Sequence, residues 1–257
     1  MDFYISASTD VGTKKKINQD SLFVRKLNTK SGKMVFAVLC DGMGGLKYGE
    51  IASATVLTAF TSWMYTYLPI LSVKPTEEYG RIIKEHWSSI VAQQNDKLRL
   101  YGNAKGCMTG STLTAMLLTK DRYFLLNVGD TRAYEIENEV MQLTMDHTLA
   151  AKEIKLGNLT EEQAESSPIQ GVLTRCIGVK EAVKPDMFFG EVKSGAVYML
   201  CSDGFRHKVT PAEIKEYLWT RARNDLTSIK SQEEYLIELN KQRGEKDNIS
   251  VITIAAV

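Results

Sequence analysis

Histidine is scarce in this sequence. His86, His147 and His207 are the only three, and they form neither an HExxH helix nor a closely spaced pair, which argues against a histidine-rich zinc centre. Cysteine is almost as rare: Cys40, Cys107, Cys176 and Cys201 make no CxxC pair, which removes the usual zinc and thioredoxin-like readings. Cys40 and Cys201 each close an apolar run and read as buried free thiols. The amino terminus, MDFYISAS, lacks the basic and apolar regions of a secretory leader, so a reducing cytoplasm is the expected compartment. There is no GxxxxGK[ST] loop, which argues against a P-loop nucleotide hydrolase, and no GxSxG elbow. Charge of one sign is missing too. Lys plus Arg number 32 against 31 for Asp plus Glu, a net charge of +1, which argues against a broad footprint for nucleic acid or anionic membrane. One local basic cluster remains at Lys14, Lys15 and Lys16.

No internal repeat, low-complexity tract or Pro/Ser-rich linker divides the 257 residues, and 44% of them are hydrophobic. Residues 1–257 are therefore read as a single domain with a sizeable core. The stretch Ile51–Leu71 carries no charged residue and is long enough for a membrane span. However, Ser53, Thr55, Thr58, Thr61, Ser62 and Thr66 dilute it. Its larger side chains, Val56, Phe60, Trp63, Tyr67 and Leu71, recur at helical spacing, which predicts a helix lying on a sheet and no membrane span.

Strand-like runs are Phe3–Thr9, Met34–Cys40, Ser111–Leu118, Tyr123–Val128, Met187–Val192, Val197–Cys201 and Ile249–Ile254. Helical patterns are Glu50–Tyr67, Glu77–Leu100, Pro211–Arg223 and Gln232–Gln242. Thr210 before Pro211 reads as an N-cap followed by proline at the first helical position. Two long helices in succession break any βαβ alternation. An α+β fold is expected, with antiparallel sheet and helices packed outside it.

Several strands end in aspartate. Met34–Cys40 runs into Asp41-Gly42, Val197–Cys201 into Ser202-Asp203-Gly204, and Tyr123–Val128 into Gly129-Asp130, while Asp247 sits just before the last strand. A single Asp-Gly pair is a turn signal. The joint pattern is different, because antiparallel strands can bring all four carboxylates to one edge. There they repel one another unless protons or cations neutralise them. Mg²⁺ and Mn²⁺, which prefer oxygen ligands and retain water, suit such a site. His86, on a helix, reads as a packing residue, and His147, in Asp146-His147-Thr148, as structural.

The motifs resemble those of the type 2C protein phosphatases, the metal-dependent PPM family. The resemblance is carried by Thr9-Asp-Val-Gly12 with Asn18-Gln-Asp20, Asp41-Gly-Met-Gly-Gly45, Gly110-Ser-Thr112 and Asn127-Val-Gly-Asp-Thr-Arg-Ala-Tyr134. It continues through Leu143-Thr-Met-Asp-His-Thr148, Leu173-Thr-Arg-Cys-Ile-Gly178, Leu200-Cys-Ser-Asp-Gly204 and Asp247-Asn-Ile249. The spelling DGMGG is similar to the bacterial branch. The resemblance implies an αββα sandwich: two antiparallel sheets flanked by helices on both outer faces. It also implies a protein serine/threonine phosphatase in which a metal-activated water attacks phosphorus without a covalent phosphoenzyme. Asp41 would bridge two Mn²⁺ or Mg²⁺ ions, with the Gly42 carbonyl on one of them. Asp203 and Asp247 would complete the other site, Asp20 would act through water, and Asp130 with Asp203 would hold a further, weaker ion. The implied substrates are phosphoserine and phosphothreonine proteins, with a partner serine/threonine kinase.

The chain also departs from the family pattern. Lys15 stands where relatives use arginine on the substrate phosphate, and lysine offers charge but not a bidentate fork. Met43 cannot donate a proton to the leaving group. His207 stands four residues after Asp203, where many relatives carry aspartate. Ile154–Gly171 corresponds to a variable flap, and its Ser166-Ser167-Pro168 lacks a histidine common there. A non-catalytic, phosphoprotein-binding relative is the alternative function. Retention of Asp41, Asp203 and Asp247 argues against it.

Overall fold

The computed structural model describes residues 1–43, 47–165, 167–222 and 224–257. Gly44 and Gly45 of the DGMGG motif, Ser166 of the flap and Arg223 at the expected end of a helix lie outside the described residues. Ten strands form two five-stranded sheets. They are β1 (Phe3–Asp10), β2 (Asp20–Thr29), β3 (Gly32–Asp41), β4 (Leu113–Leu118), β5 (Arg122–Val128), β6 (Arg132–Ile136), β7 (Val140–Gln142), β8 (Asp186–Glu191), β9 (Val197–Cys201) and β10 (Ile249–Ala256). One sheet has the order β1-β10-β9-β6-β7 and the other β2-β3-β4-β5-β8, and every named pairing is antiparallel.

β3 explains the layering. Val35, Ala37 and Leu39 face the other sheet and pack with Met116, Leu200 and Ile252. The alternate residues Met34, Phe36, Val38 and Cys40 pack against helices α1 (Gly49–Leu71) and α2 (Thr76–Ala104). A strand buried on both faces is apolar throughout, as the run Met34–Cys40 is. The β1-β10-β9-β6-β7 sheet carries a third core on its outer face. There Met199, Cys201 and Val251 meet Phe205 of α5 (Asp203–Arg206), Ile214 of α6 (Pro211–Lys215) and Leu236 of α7 (Ile229–Gln242). The order of layers is helix, sheet, sheet, helix, as expected.

α1 lies on its sheet through Val56, Phe60, Trp63 and Leu71, but Tyr67 is 44% exposed. Met64 and Leu68 are buried instead, because the covered stripe is wider than a single line of residues. Among the described residues, no helix is long and apolar enough to cross a membrane. His86 accepts a hydrogen bond from Trp63 Nε1 at 3.0 Å, so it packs, as expected. Thr210 and Glu213 form a capping box with Pro211 in the first turn, and Glu216–Arg221 then continues α6 as a π-helical turn. The sequence reading missed β2, β6 and β7 and the short helices α3 (Leu149–Lys155), α4 (Glu161–Glu165) and α5.

Candidate active site

The aspartates do collect at one end of the sandwich. Asp20 opens β2 directly opposite Asp41, which closes β3. Asp203 follows β9, Asp130 follows β5, and Asp247 precedes β10. Their fields overlap: burial first, then the charges of Asp20, Asp203, Asp130 and Asp247, push the Asp41 carboxyl well above the ordinary value. Asp20 is pushed up to about 7, mainly by burial and then by Asp203 and Asp247, while the nearby Ser250 and Ser202 hydroxyls pull against the shift. Those hydroxyls form no proper hydrogen bond to it, for both Asp20 oxygens are buried and unpartnered. Asp130 is also pushed up to about 7 by burial and by Asp203, with Arg206 opposing.

The motif residues hold this end in shape. Asp41 N–H donates to Thr112 Oγ1 at 2.9 Å, and Thr112 N–H returns a bond to Asp41 O at 2.8 Å. Ser111 Oγ reaches the same carbonyl at 3.1 Å. Gly42 N–H donates to Gln19 O, and any Cβ on Gly42 would collide with the Gly49 backbone. Gly12 adopts φ +76°, and a Cβ there would strike the Asp247 carbonyl, so glycine is required twice over. His147 accepts the Gly129 N–H at Nδ1, and its own N–H donates to Gly129 O. This fixes the turn that presents Asp130 and makes the histidine structural, as read.

The structure separates the three lysines of the basic cluster. Lys14 and Lys16 are exposed, whereas Lys15 Nζ lies 2.8 Å from Asp247 Oδ1. The sequence reading gave Asn248 no role, yet it sets this arrangement. Its Oδ1 accepts Gln19 N–H at 2.9 Å, and its Nδ2 donates to Val11 O and Ile17 O. The amide thus clamps both ends of the lysine loop to the start of β10, and its position beside Asp247 in a motif was the available signal. Glu245 was also missed. Burial alone would raise its carboxyl, but the His207 ring and the N–H groups of Asp247 and Lys246 hold it down at about 2. It therefore stays an anion and shapes the Asp247 loop. Arg132 pairs with Asp146 through two nitrogens at 2.7 and 2.9 Å.

Among the described residues, no three His, Cys, Asp or Glu side chains are already drawn together around one cation. The donor chemistry fits one nonetheless. Every candidate donor is an oxygen, two carboxylates face each other in register, and the Asp20 oxygens have no partner of their own. A hard divalent ion needs only one or two carboxylates, with water and substrate oxygens completing its shell.

A family model described as protein phosphatase 2C matches residues 12–242. The chain belongs to the protein phosphatase 2C family. It is 29% identical over 250 residues to the serine/threonine phosphatase stp of Listeria innocua, covering 96% of this chain and 93% of that protein. The solved serine/threonine phosphatase of S. agalactiae superposes with a TM-score of 0.82 at 30% identity, covering 99% of this chain and all of that one. The catalytic domain of the phosphatase PstP, solved in complex with two manganese ions, superposes with a TM-score of 0.78 at 26% identity, covering 98% and 97% of the two chains. The candidate site residues of this phosphatase-family chain come from strand ends on both sheets, so the sandwich itself assembles the acidic pole.

Proposed function

We propose that this chain is a metal-dependent protein phosphatase that hydrolyses phosphoserine and phosphothreonine at the aspartate pole. The Asp20 carboxylate carries the reading: both oxygens are buried, neither has a hydrogen bond, and Asp41 stands directly opposite. Such a group costs stability, so a fold that retains it in a like-charged cluster retains it for a cation. Asp41, Asp203, Asp247, Asp20 and Asp130, with the Gly42 carbonyl, are the residues that would hold Mn²⁺ or Mg²⁺. When bound, these ions supply the positive charge that activates water and offsets charge on the phosphoryl group.

The chain's own groups do the positioning. Lys15 already reaches one anion of the pole, Asp247, and would turn to a second one, the substrate phosphate. Three of the four thiols are buried and offer no nucleophile: burial pushes Cys201 up to about 12 and Cys176 up to about 11, and raises Cys40 well above its usual value. Protonated, buried thiols do not attack phosphorus, which favours direct attack by water. Four free cysteines suit a reducing cytoplasm, where a partner serine/threonine kinase would make the phosphoprotein substrates.

The test is hydrolysis of an aryl phosphate and a phosphothreonine peptide by chelator-stripped protein, followed by Mn²⁺ titration. Turnover should appear only with the cation. Full turnover without it overturns the reading. Mn²⁺ and phosphopeptide binding without turnover would instead identify a phosphoprotein-binding relative.

A further inference from the structure

Two hollows lie beside the acidic pole, one of about 480 Å³ and one of about 730 Å³, and Arg132, Gln170 and Arg206 line both. The larger is also lined by His207, Lys208 and Lys246. It begins one side chain from the candidate site: His207 Nε2 is 3.8 Å from Asp203 Oδ2, and Lys246 immediately precedes Asp247 in the chain. A polypeptide bound with its phosphorylated residue at the pole must leave over one of the rims, and this hollow is large enough to take a side chain of the flanking segment.

The charges in the hollow do not cancel. Asp146 accounts for Arg132 through a bidentate pair. Glu245 is committed to His207 at 3.3 Å and to two backbone N–H groups. Arg206 is nine-tenths buried, lies 3.5 Å from both Asp146 Oδ2 and the Asp130 carbonyl, and keeps an Nε without a hydrogen-bond partner. Lys208 and Lys246 are exposed at the rim, and neither ammonium has a carboxylate partner among the described residues. Unbalanced cations beside a phosphate-handling site select for anions in what lies across them.

We propose that this cationic hollow is a substrate-selecting subsite that receives acidic residues flanking the phosphorylated serine or threonine. The inference rests on the phosphatase reading and adds a preference that reading does not contain. It divides the pole's surroundings in two: Lys15 for the phosphate, and Lys208 with Lys246 for the neighbouring acidic chain.

The test is steady-state kinetics of the Mn²⁺-loaded protein on three phosphothreonine peptides with acidic, neutral and basic flanks. An aryl phosphate, which has no flank, is the reference. The readout is the ratio of peptide to aryl phosphate kcat/KM. The wild-type protein should rank the peptides acidic, neutral, basic. Lys208→Glu and Lys246→Glu should each lower the acidic-peptide ratio by up to about fivefold, as for an exposed charge pair, and the double variant should invert the ranking. Lys84→Glu, on the exposed face of α2, should leave the ranking as it was. Metal-dependent hydrolysis with no preference among the flanks, or the same ranking in the double variant, would overturn the subsite and leave the phosphatase reading standing. Loss of metal-dependent turnover on every wild-type substrate, aryl phosphate included, would overturn both.

Discussion

Two lysine–carboxylate pairs in this molecule show opposite uses of buried charge. In β6, Glu135 is 4% exposed, and both of its oxygens have donors: Lys193 Nζ at 2.6 Å and Tyr198 OH at 3.0 Å. At the pole, Lys15 holds Asp247 at 2.8 Å, but acceptors outnumber donors around it, and the oxygens of Asp20 have none. Where a carboxylate serves the fold, each oxygen is matched. At the pole, on the proposed reading, the matching partner is a ligand left to arrive. Glu233 stands between these cases, with Ser6 and Ser8 hydroxyls on one oxygen and nothing on the other.

Removing a carboxylate should therefore have opposite consequences in the two regions. The largest effect is expected at Asp203. Asp203→Asn should weaken Mn²⁺ binding by at least the roughly 10–100-fold that loss of a supporting partner costs a metal site, as read by calorimetric titration. Its melting temperature in chelator should hold or rise, because one of several like charges is gone. Wild-type rates at limiting Mn²⁺ would remove Asp203 from the ligand set.

Lys15 comes next, and it tests whether the pole's lysine serves substrate. Lys15→Ala should raise KM on a phosphothreonine peptide by about tenfold, the loss of one charge-assisted hydrogen bond, and lower kcat less. Lys15→Arg should restore KM or improve it. Lys14→Ala and Lys16→Ala should do much less. Equal, small effects at all three positions would make the cluster mere surface charge.

The contrasting substitution is Glu135→Ala, which should destabilise the fold by about 2 kcal/mol, since it leaves the Tyr198 hydroxyl without its carboxylate. For a chain of this size that is roughly 4–8 °C in melting temperature, with metal-binding affinity unchanged. A shift in Mn²⁺ affinity instead would break the distinction between the two regions.

Glu233 gives the smallest and most graded effect. Burial raises its carboxyl above the usual 4.5 against the hydroxyls that bind it. The folded chain thus binds this proton more tightly than the unfolded chain. That contribution is complete below 4.5 and is lost as pH rises through the raised value. Glu233→Gln removes the titration, so its melting temperature relative to wild type should climb as pH rises above 4.5 and through the raised value. A flat difference would mean the site carries no linked proton.

Much of the architecture was legible in the sequence because it follows local rules. A strand buried on both faces must be apolar throughout, which is why Met34–Cys40 stood out. α1 and α2 followed from helical spacing, and the N-cap of α6 from Thr210 and Pro211. β2 escaped because it is an edge strand whose pattern is broken by the exposed Arg25 and Lys26. β6 escaped because it is short and buries a charged Glu135, which only a distant Lys193 makes tolerable. Asp41, Asp203, Asp130 and Asp247 were visible at strand ends and Asp20 only through its motif, since it opens the missed β2; the side chains that hold them in place were not visible.

By itself, then, the sequence determined the layers, the family motifs and which carboxylates end their strands, since each depends on residues close together in the chain. Only the tertiary structure decided which of three adjacent lysines meets the pole. Lys14, Lys15 and Lys16 are chemically the same. The choice falls on Lys15 because Asn248, more than two hundred residues away, clamps the loop at Val11, Ile17 and Gln19. The left-handed Gly12 lets that loop pass against the Asp247 backbone, where no side chain would fit.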